Sequence, residues 1–313
     1  MTKSEIAEKL FEKHQSLLEY HNFLKNTVSQ IIINSTPPHY IFKTQFGTKF
    51  EVPPNLMDPR YNPIECLNFG SIEGSEEILM HLIAEKMDYF IDIGANIGWH
   101  TCNVAFAHKN IKHVFAVEPQ LKAFNILQSH IQLNNLSTRV TLRNLAVSNF
   151  NGTAKLSIGE ELGAGSFYNI RELQSPTMEE VIVQKFDDLL HRSTINFQPK
   201  SKTLIKLDIE GSELFFLNGA KSFISHATPI FFIEILRKWC RKAGYEASDI
   251  IRFFENYGYS LYKLCERQLF KIHQISDDTL QTNFFAFPEA HADFISELNT
   301  ALKRNKKYNF LTN

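Results

Sequence analysis

Phe90-Ile-Asp-Ile-Gly-Ala-Asn-Ile-Gly98 combines a short apolar run with a turn that contains two glycines. The apolar run predicts a buried strand, and the residues after Gly98 predict a helix. Gly94 and Gly98 lack a Cβ, so the backbone can pass close to a ligand at these positions. The helix that follows directs its free N–H groups towards the same place. This stretch therefore predicts a ligand-binding turn between a strand and a helix.

Asp92 stands just before the first glycine of this turn, and its charge bears on which ligand fits. A carboxylate there would repel a pyrophosphate, whereas it would attract a ligand that carries an ammonium and a sulfonium group, such as S-adenosylmethionine. Asn96 also takes the place of the middle glycine of a dinucleotide-binding loop. The turn therefore favours S-adenosylmethionine, although Asp92 could instead cap the turn without any ligand.

Other apolar runs along the chain also end in carboxylates. These acids are Glu118 after His113–Val117, Asp208 and Glu210 after Thr203–Leu207, and Glu234 after Pro229–Ile233. Near-continuous apolar runs that alternate with helical patterns predict a parallel sheet covered on both faces. Ligands bind outside the carboxyl ends of the strands in such sheets. We therefore expect these acids and Asp92 to lie along one rim of the sheet.

Glu118 follows Asp92 by 26 positions, near the spacing at which an acid binds ribose hydroxyls in Rossmann units. Each of these acids also has a structural alternative. Glu118 could be a solvated strand end, and Asp208 and Glu210 could simply lie at a helix start, where the dipole favours negative charge. For Glu213 we favour that structural role.

Composition narrows the class of protein. The chain has 313 residues, and 33 Lys and Arg nearly balance 34 Asp and Glu, so nothing predicts nucleic-acid binding. The first 35 residues are too charged for a signal peptide, and no apolar stretch approaches membrane-spanning length. Four scattered cysteines without metal-ligand spacing predict buried thiols in a reducing compartment. We expect a cytoplasmic protein without a membrane span.

Three regions are predicted along the chain. Residues 1–74 are expected to form a cap beside the mouth of the site, or to serve contacts in a homo-oligomer; residues 75–290 form the main domain and residues 291–313 a C-terminal helix and tail. Within the cap, residues 3–33 predict one or two amphipathic helices. Tyr40–Phe42 and Lys49–Val52 flank a turn and predict a hairpin.

The main domain also contains a predicted insertion. Gly152–Ile158 and Glu180–Gln184 read as two extra strands, which suggests a hairpin placed before the fourth core strand. Between them lies the glycine-rich segment Gly159–Gly165. This segment could be a mobile lid over the substrate or an ordinary surface loop.

Four segments, taken together and in order, resemble the FkbM-type methyltransferase family. They are Phe90–Thr101, Val114–Pro119, Asn144–Ser148 and Leu204–Glu213. Leu217-Asn-Gly-Ala220 and the run that ends at Glu234 are similar to that family as well. The resemblance extends over residues 65–290.

The resemblance implies an α/β, Rossmann-like class I methyltransferase fold. Its sheet is mostly parallel and seven-stranded, and the last two strands form an antiparallel pair. It also implies S-adenosylmethionine as methyl donor, and transfer to a hydroxyl oxygen of a sugar or natural product. The implied cofactor site consists of Asp92, Gly94, Asn96 and Gly98 at the methionine end, Glu118 at the ribose, and Asn144 and Ala146 near the adenine.

On the acceptor side, the resemblance implies that Asp208 and Glu210 face the methyl group or the acceptor. An aliphatic hydroxyl is a poor nucleophile, and either acid could take its proton if burial raises the carboxylate pKa. If the chain stays extended, both side chains reach one acceptor, because residues two apart share a face. A divalent metal held by Asp208, Glu210 and Glu234 is an alternative way to activate the hydroxyl.

Two rival functions remain open from the sequence. One is an NAD-dependent oxidoreductase on a similar sheet, and the other is a non-catalytic cofactor-binding module. The expected partner of the enzyme is a small-molecule or glycan acceptor. No residue pattern in the sequence identifies which acceptor is used.

Overall fold

The computed structural model describes residues 2–24, 27–36, 38–52, 73–158, 165–167, 177–191 and 202–307. The chain divides into two compact units, Met1–Gly74 with Lys307–Asn313, and Ser75–Lys306. All the motifs that resemble the methyltransferase family lie in the second unit. The predicted roles of residues 1–74, as a cap or in oligomer contacts, stay predictions.

Among its described residues, the first unit contains one helix and a three-stranded antiparallel sheet. The helix is α1 (Lys3–Leu24), and the strands are β1 (Val28–Ser35), β2 (Pro38–Thr44) and β3 (Lys49–Val52). The predicted hairpin is confirmed, since β2 pairs with β3 and the rings of Phe42 and Phe50 stack at 5.7 Å. The prediction of helix as far as residue 33 is wrong, because the β-branched run Ile31–Ile33 favours a strand.

The second unit alternates strands and helices. Its strands are β4 (Tyr89–Ile93), β5 (His113–Val117), β6 (Val140–Arg143), β7 (Ala146–Ser148), β8 (Gly152–Ile158), β9 (Thr177–Lys185), β10 (Thr203–Leu207), β11 (Ile230–Glu234), β12 (Tyr259–Cys265), β13 (Gln268–Ile272) and β14 (Asn283–Pro288). Its helices are α2 (Ser75–Ala84), α3 (Trp99–Ala107), α4 (Leu121–Leu133), α5 (Phe186–His191), α6 (Glu213–Gly219), α7 (Lys221–Ala227), α8 (Arg237–Lys242), α9 (Ala247–Asn256) and α10 (Ala292–Arg304), with a 3₁₀ turn at Glu289–His291.

The main sheet has the strand order β13-β12-β14-β11-β10-β4-β5-β6. Strands β11, β10, β4, β5 and β6 run parallel, whereas β14 is antiparallel to both β11 and β12. The predicted mostly parallel sheet with an antiparallel last pair is therefore confirmed. Strand β13 adds an eighth strand at one edge, because it returns antiparallel along β12 after a tight turn.

A smaller sheet has the order β7-β9-β8. The predicted hairpin is confirmed, since β8 and β9 pair antiparallel along their length. The parallel pairing of β7 with β9 was not predicted. Of the candidate lid Gly159–Gly165, residues 159–164 lie outside the described residues.

One large hydrophobic cluster lies on a face of the main sheet, under α5, α6, α7 and α9. Alternate residues of the central strands point into it, and Phe186 shows how tightly it is packed. The Phe186 side chain is fully buried and meets the rings of Phe115, Phe216 and Phe223 at centroid distances of 6.3, 5.3 and 5.4 Å. Because side chains alternate along a strand, Asp92 and Lys206 point to the opposite face.

Other expectations about the chain have mixed outcomes. Cys102 and Cys240 are buried as predicted, Cys265 is exposed, and Cys66 lies outside the described residues. Cys265 is exposed because it ends β12 at the tight turn before β13. Within the described part of the chain, none of the helices is both long and apolar enough to cross a membrane.

We predict that Phe186→Ala lowers the free energy of unfolding by about 3–5 kcal/mol, because it leaves a cavity among three rings. Phe270→Ala is the matched control, since the Phe270 side chain is 44% exposed and its removal leaves no cavity. Urea unfolding of the two variants measures the difference. Equal losses in both would contradict the packing described here.

Candidate functional site

The turn after β4 is shaped by three residues in the left-handed region. Gly94, Asn96 and Gly98 have φ values of +84°, +49° and +89°. A Cβ on Gly94 would lie 1.8 Å from the Asp208 carbonyl oxygen, and one on Gly98 would lie 2.4 Å from a Leu127 methyl carbon. The glycines are therefore required first by contacts within the protein, in addition to any room they leave for a ligand.

Asp92 is buried beneath this turn, with only 1% of its surface exposed. Its Oδ2 accepts a hydrogen bond from the Thr101 hydroxyl at 2.6 Å, but its Oδ1 is buried without a hydrogen-bond partner. The Oδ1 of Asn96 is also buried without a hydrogen-bond partner. Burial raises the pKa of the Asp92 carboxyl, and the nearby charge of Lys206 opposes that rise. Two buried acceptor oxygens in one turn fit a ligand that brings N–H donors.

Glu118 lies at the end of β5 and connects it to the glycine turn. One of its carboxylate oxygens accepts the Asn96 N–H and the other accepts the Gln120 N–H, both at 2.8 Å. Burial raises the pKa of Glu118 to about 7, although both backbone hydrogen bonds lower it. A carboxylate has about four acceptor sites, so Glu118 can also receive hydrogen bonds from a ligand.

Asn144 and Ala146 occupy different environments. Asn144 is largely exposed, and its side-chain amide donates hydrogen bonds to the carbonyls of Glu118 and Pro119 at 2.9 and 3.0 Å. These bonds connect the end of β6 to the end of β5. Ala146 is buried and lines a cleft together with Leu145 and Pro119. Of the two predicted adenine residues, only Ala146 therefore lines this cleft.

Another part of the cleft wall comes from β8 and from a short segment bridged to it. Leu156 of β8 and the segment Gly165–Phe167 line it. A Cβ on Gly165 would lie 2.7 Å from a Leu156 methyl carbon, so these two positions are in close contact. The Ser166 hydroxyl donates to the Glu210 carbonyl at 2.8 Å. Sequence reasoning missed this wall, because its contacts join residues far apart in the chain.

The chain turns directly after β10. Glu210 has a φ of +54°, so the chain does not stay extended there, and the condition under which Asp208 and Glu210 would share a face is not met. The cause is Glu213, whose Oε1 accepts the N–H groups of Ile209 and Gly211 at 3.2 and 3.1 Å. The Tyr245 hydroxyl donates to the other Glu213 oxygen at 3.1 Å. The structural role favoured for Glu213 agrees with these contacts.

Asp208 and Glu234 are brought together at the ends of β10 and β11, where each carboxyl acts on the pKa of the other. Burial, together with the charges of Asp208 and Glu210, raises the pKa of Glu234 well above its usual range. Burial also acts to raise the pKa of Asp208, but the charge and hydrogen bond of Lys206 outweigh it and hold that pKa below its usual value. Glu234 is therefore the protonated partner and Asp208 the ionised one.

Lys206 was missed by the sequence analysis. Its Nζ lies 2.9 Å from Asp208 Oδ2, and the two side chains are 6% and 30% exposed. The sequence does contain a signal for it, because Lys206 lies inside the apolar run Thr203–Leu207 and a charged residue is rare in a buried strand. His100, from α3, is buried nearby with its ring edge against Phe232.

A divalent metal does not fit the predicted ligands. In the described part of the chain, Asp208, Glu210 and Glu234 do not form a set whose carboxylate oxygens all lie within 4.8 Å of one another. The Lys206 ammonium also occupies a coordination position at Asp208. The metal alternative therefore lacks a preformed site.

Comparison with known proteins adds independent information. The family model described as the methyltransferase FkbM domain matches residues 92–261, more than half of the chain. No curated protein matches the sequence significantly.

Solved structures with similar folds have low identity to this chain. The FkbM methyltransferase of Methylobacillus flagellatus is 18% identical, with 64% of this chain and 43% of that chain covered and a TM-score of 0.40. TYW2 of P. horikoshii, in complex with MeSAdo, is 14% identical, with 89% and 82% covered and a TM-score of 0.38. An O-methyltransferase of Thermotoga maritima is 13% identical, with 79% and 76% covered and a TM-score of 0.34.

The family match spans the strand-end acids of the main sheet, from Asp92 to Glu234, and the glycine turn. This sequence match, and not the solved structures, carries the assignment. The chain belongs to the FkbM family of S-adenosylmethionine-dependent methyltransferases.

Proposed function

We propose that this protein transfers the methyl group of S-adenosylmethionine to a hydroxyl oxygen of a sugar, glycan or small natural product. The observation that carries the proposal is the pairing of two neighbouring turns. One presents buried acceptor oxygens at Asp92 and Asn96, and the other presents the ionised carboxylate of Asp208. The first suits a cationic donor, and the second suits an acceptor that must lose a proton.

The donor side is argued from unsatisfied groups. A buried acceptor without a partner costs about 1–3 kcal/mol, and a bound ammonium would remove that cost at Asp92. We assign the methionine end of the donor to Asp92, Gly94, Asn96 and Gly98. We assign its ribose to Glu118, and its adenine to the cleft lined by Ala146, with Asn144 holding the cleft's edge.

The acceptor side is argued from proton transfer. When bound, S-adenosylmethionine supplies an electrophilic methyl group, and the reaction needs the acceptor oxygen held in line with it. Such positioning can contribute about 7–11 kcal/mol. Asp208 accepts the hydroxyl proton in this proposal, since Lys206 keeps it ionised while Glu234 holds a proton of its own. The raised pKa expected for Asp208 from the sequence is not found, so Asp208 is available as a base but a weaker one than expected. Glu210, on the same turn, orients the acceptor.

The acceptor class is the least constrained part of the proposal. The family accounts for methyl transfer, and the carboxylate beside the donor turn supports oxygen as the receiving atom. A homo-oligomer is a further proposal, which analytical ultracentrifugation can test.

The donor assignment predicts that S-adenosylhomocysteine raises the melting temperature of the protein and that NAD does not. Asp92→Asn keeps the shape of the side chain but removes its charge. We therefore expect this variant to bind S-adenosylhomocysteine at least about tenfold more weakly, a loss of about 1.4 kcal/mol. Asp278→Asn, at an exposed position of the same unit, is the control. Thermal shift and calorimetry measure both effects. Stabilisation by NAD alone would support the oxidoreductase instead.

The pKa of Glu118 predicts a pH dependence of binding. Below about pH 7 the Glu118 carboxyl is protonated and accepts fewer hydrogen bonds, so affinity for S-adenosylhomocysteine should rise as pH increases through that value. Glu118→Gln removes the titrating group and should flatten this dependence between about pH 6 and about pH 8. Calorimetry at several pH values is the measurement. An unchanged slope in the variant would assign the titration to another group.

The proposed reaction predicts that a labelled methyl group is transferred to an oxygen atom of the acceptor. The protein is incubated with isotopically labelled methyl donor and fractions of glycans, lipids and small molecules, and products are located by mass spectrometry. Asp208→Asn should reduce transfer at least about 100-fold, the usual contribution of a general base, while S-adenosylhomocysteine still binds. Label on nitrogen would overturn the acceptor class. Donor binding without transfer to any fraction would favour a non-catalytic module.

A further inference from the structure

Lys206 is a charged residue in the middle of a buried strand. Its Cα is paired with Asp92 on β4 and with Phe232 on β11, so it lies at the centre of the sheet. The whole residue is 5% exposed. An ammonium is stable in such a place only when it is paired with negative charge. The strand therefore retains Lys206 for an electrostatic role rather than for packing.

The groups around Lys206 are mostly acidic. Its charge acts on Asp92, Asp208 and Glu234, which come from three neighbouring strands. His100 from α3 is the other basic group that acts on Asp92 and Asp208. The remaining acids of this rim are Glu118, Glu210 and Glu213. The charge of Asp208 raises the pKa of Glu118 and of Glu213. The charge of Glu210 raises the pKa of Glu234.

Methyltransfer sites that face a hydroxyl can use a divalent cation to hold acidic ligands and the acceptor. Here the Lys206 ammonium lies 2.9 Å from Asp208 Oδ2, where such a cation would bind. The carboxylates that could complete a metal site are not gathered into a set of three. Asp208 instead has the Lys206 ammonium as its ion-pair partner, and the Lys206 charge also acts on Glu234.

We propose that Lys206 is a positioning residue that serves as the built-in cation of the acceptor side, in the place a divalent metal ion would take. It fixes the Asp208 carboxylate at the end of β10 and balances the acids that converge from β4 and β11. This inference rests on the proposed function only in placing Asp208 on the acceptor side. Its tests use neither acceptor nor donor, so their failure is distinguishable from a failure of methyl transfer.

The first test titrates the full-length wild-type protein and Asp208→Asn with Mn²⁺, followed by electron paramagnetic resonance of the free ion. We expect any Mn²⁺ binding by the wild type to be weak and unchanged in Asp208→Asn. A wild-type Mn²⁺ site that disappears in this variant would overturn the proposal. This test does not depend on the folding of any Lys206 variant.

The second test removes the built-in cation. Lys206→Ala leaves both space and uncompensated carboxylates, so it should bind Mn²⁺ at least tenfold more tightly than the wild type and regain melting temperature when Mn²⁺ is added. The double variant with Asp208→Asn should lose both effects. A merely structural lysine predicts lower stability without rescue by the cation, and that result would overturn the proposal.

Two further variants separate charge from packing. Lys206→Met keeps most of the aliphatic stem, and we expect it to lower the melting temperature more than Lys112→Met does. Lys112 is the matched control, because its Nζ also lies 2.9 Å from an aspartate, Asp88, but its side chain is 60% exposed. Equal shifts in the two variants would show that the charge of Lys206 has no special role.

Discussion

The close packing of Gly94 against the Asp208 carbonyl is the constraint on which the site depends. Strands β4 and β10 are neighbours and end together, and the missing Cβ of Gly94 lets their following turns touch. The turn that presents Asp92 and the turn that presents Asp208 are therefore parts of one packed layer. A side chain at Gly94 would force the two turns apart, and with them the donor and acceptor sides of the proposed reaction.

Two buried carboxylates hold these turns by the same physical means. Glu118 accepts the Asn96 N–H of the first turn, and Glu213 accepts two N–H groups of the second. Both have pKa values raised to about 7 by burial. Each is therefore ionised only in part near neutrality, which limits the negative charge that the rim must accommodate alongside Asp92 and Asp208.

Much of this arrangement could be predicted from sequence, because strands, turns and their end residues are local signals. The run before Asp92 predicted β4 and the glycine turn, and the parallel pattern predicted that the acids share one rim. The turn at Glu210 could not be predicted, since it depends on a hydrogen bond that the Ile209 N–H donates to the carboxylate of Glu213, four residues later. The Ser166 contact with Glu210 joins residues 44 positions apart, and no local pattern encodes it.

Lys206 illustrates why the charges of the site were harder to predict than its shape. The sequence predicted five acids at one rim, and acids alone suggested a metal. The alternation of β10 places Lys206 on the same face as Asp92, and a lysine is long enough to reach Asp208 from there. The two aspartates of the rim are therefore compensated to different degrees. Asp208 has its cation within the protein, whereas Asp92 keeps an unsatisfied oxygen towards the glycine turn. A cationic donor gains from binding on the side where the carboxylate keeps a buried oxygen without a hydrogen-bond partner.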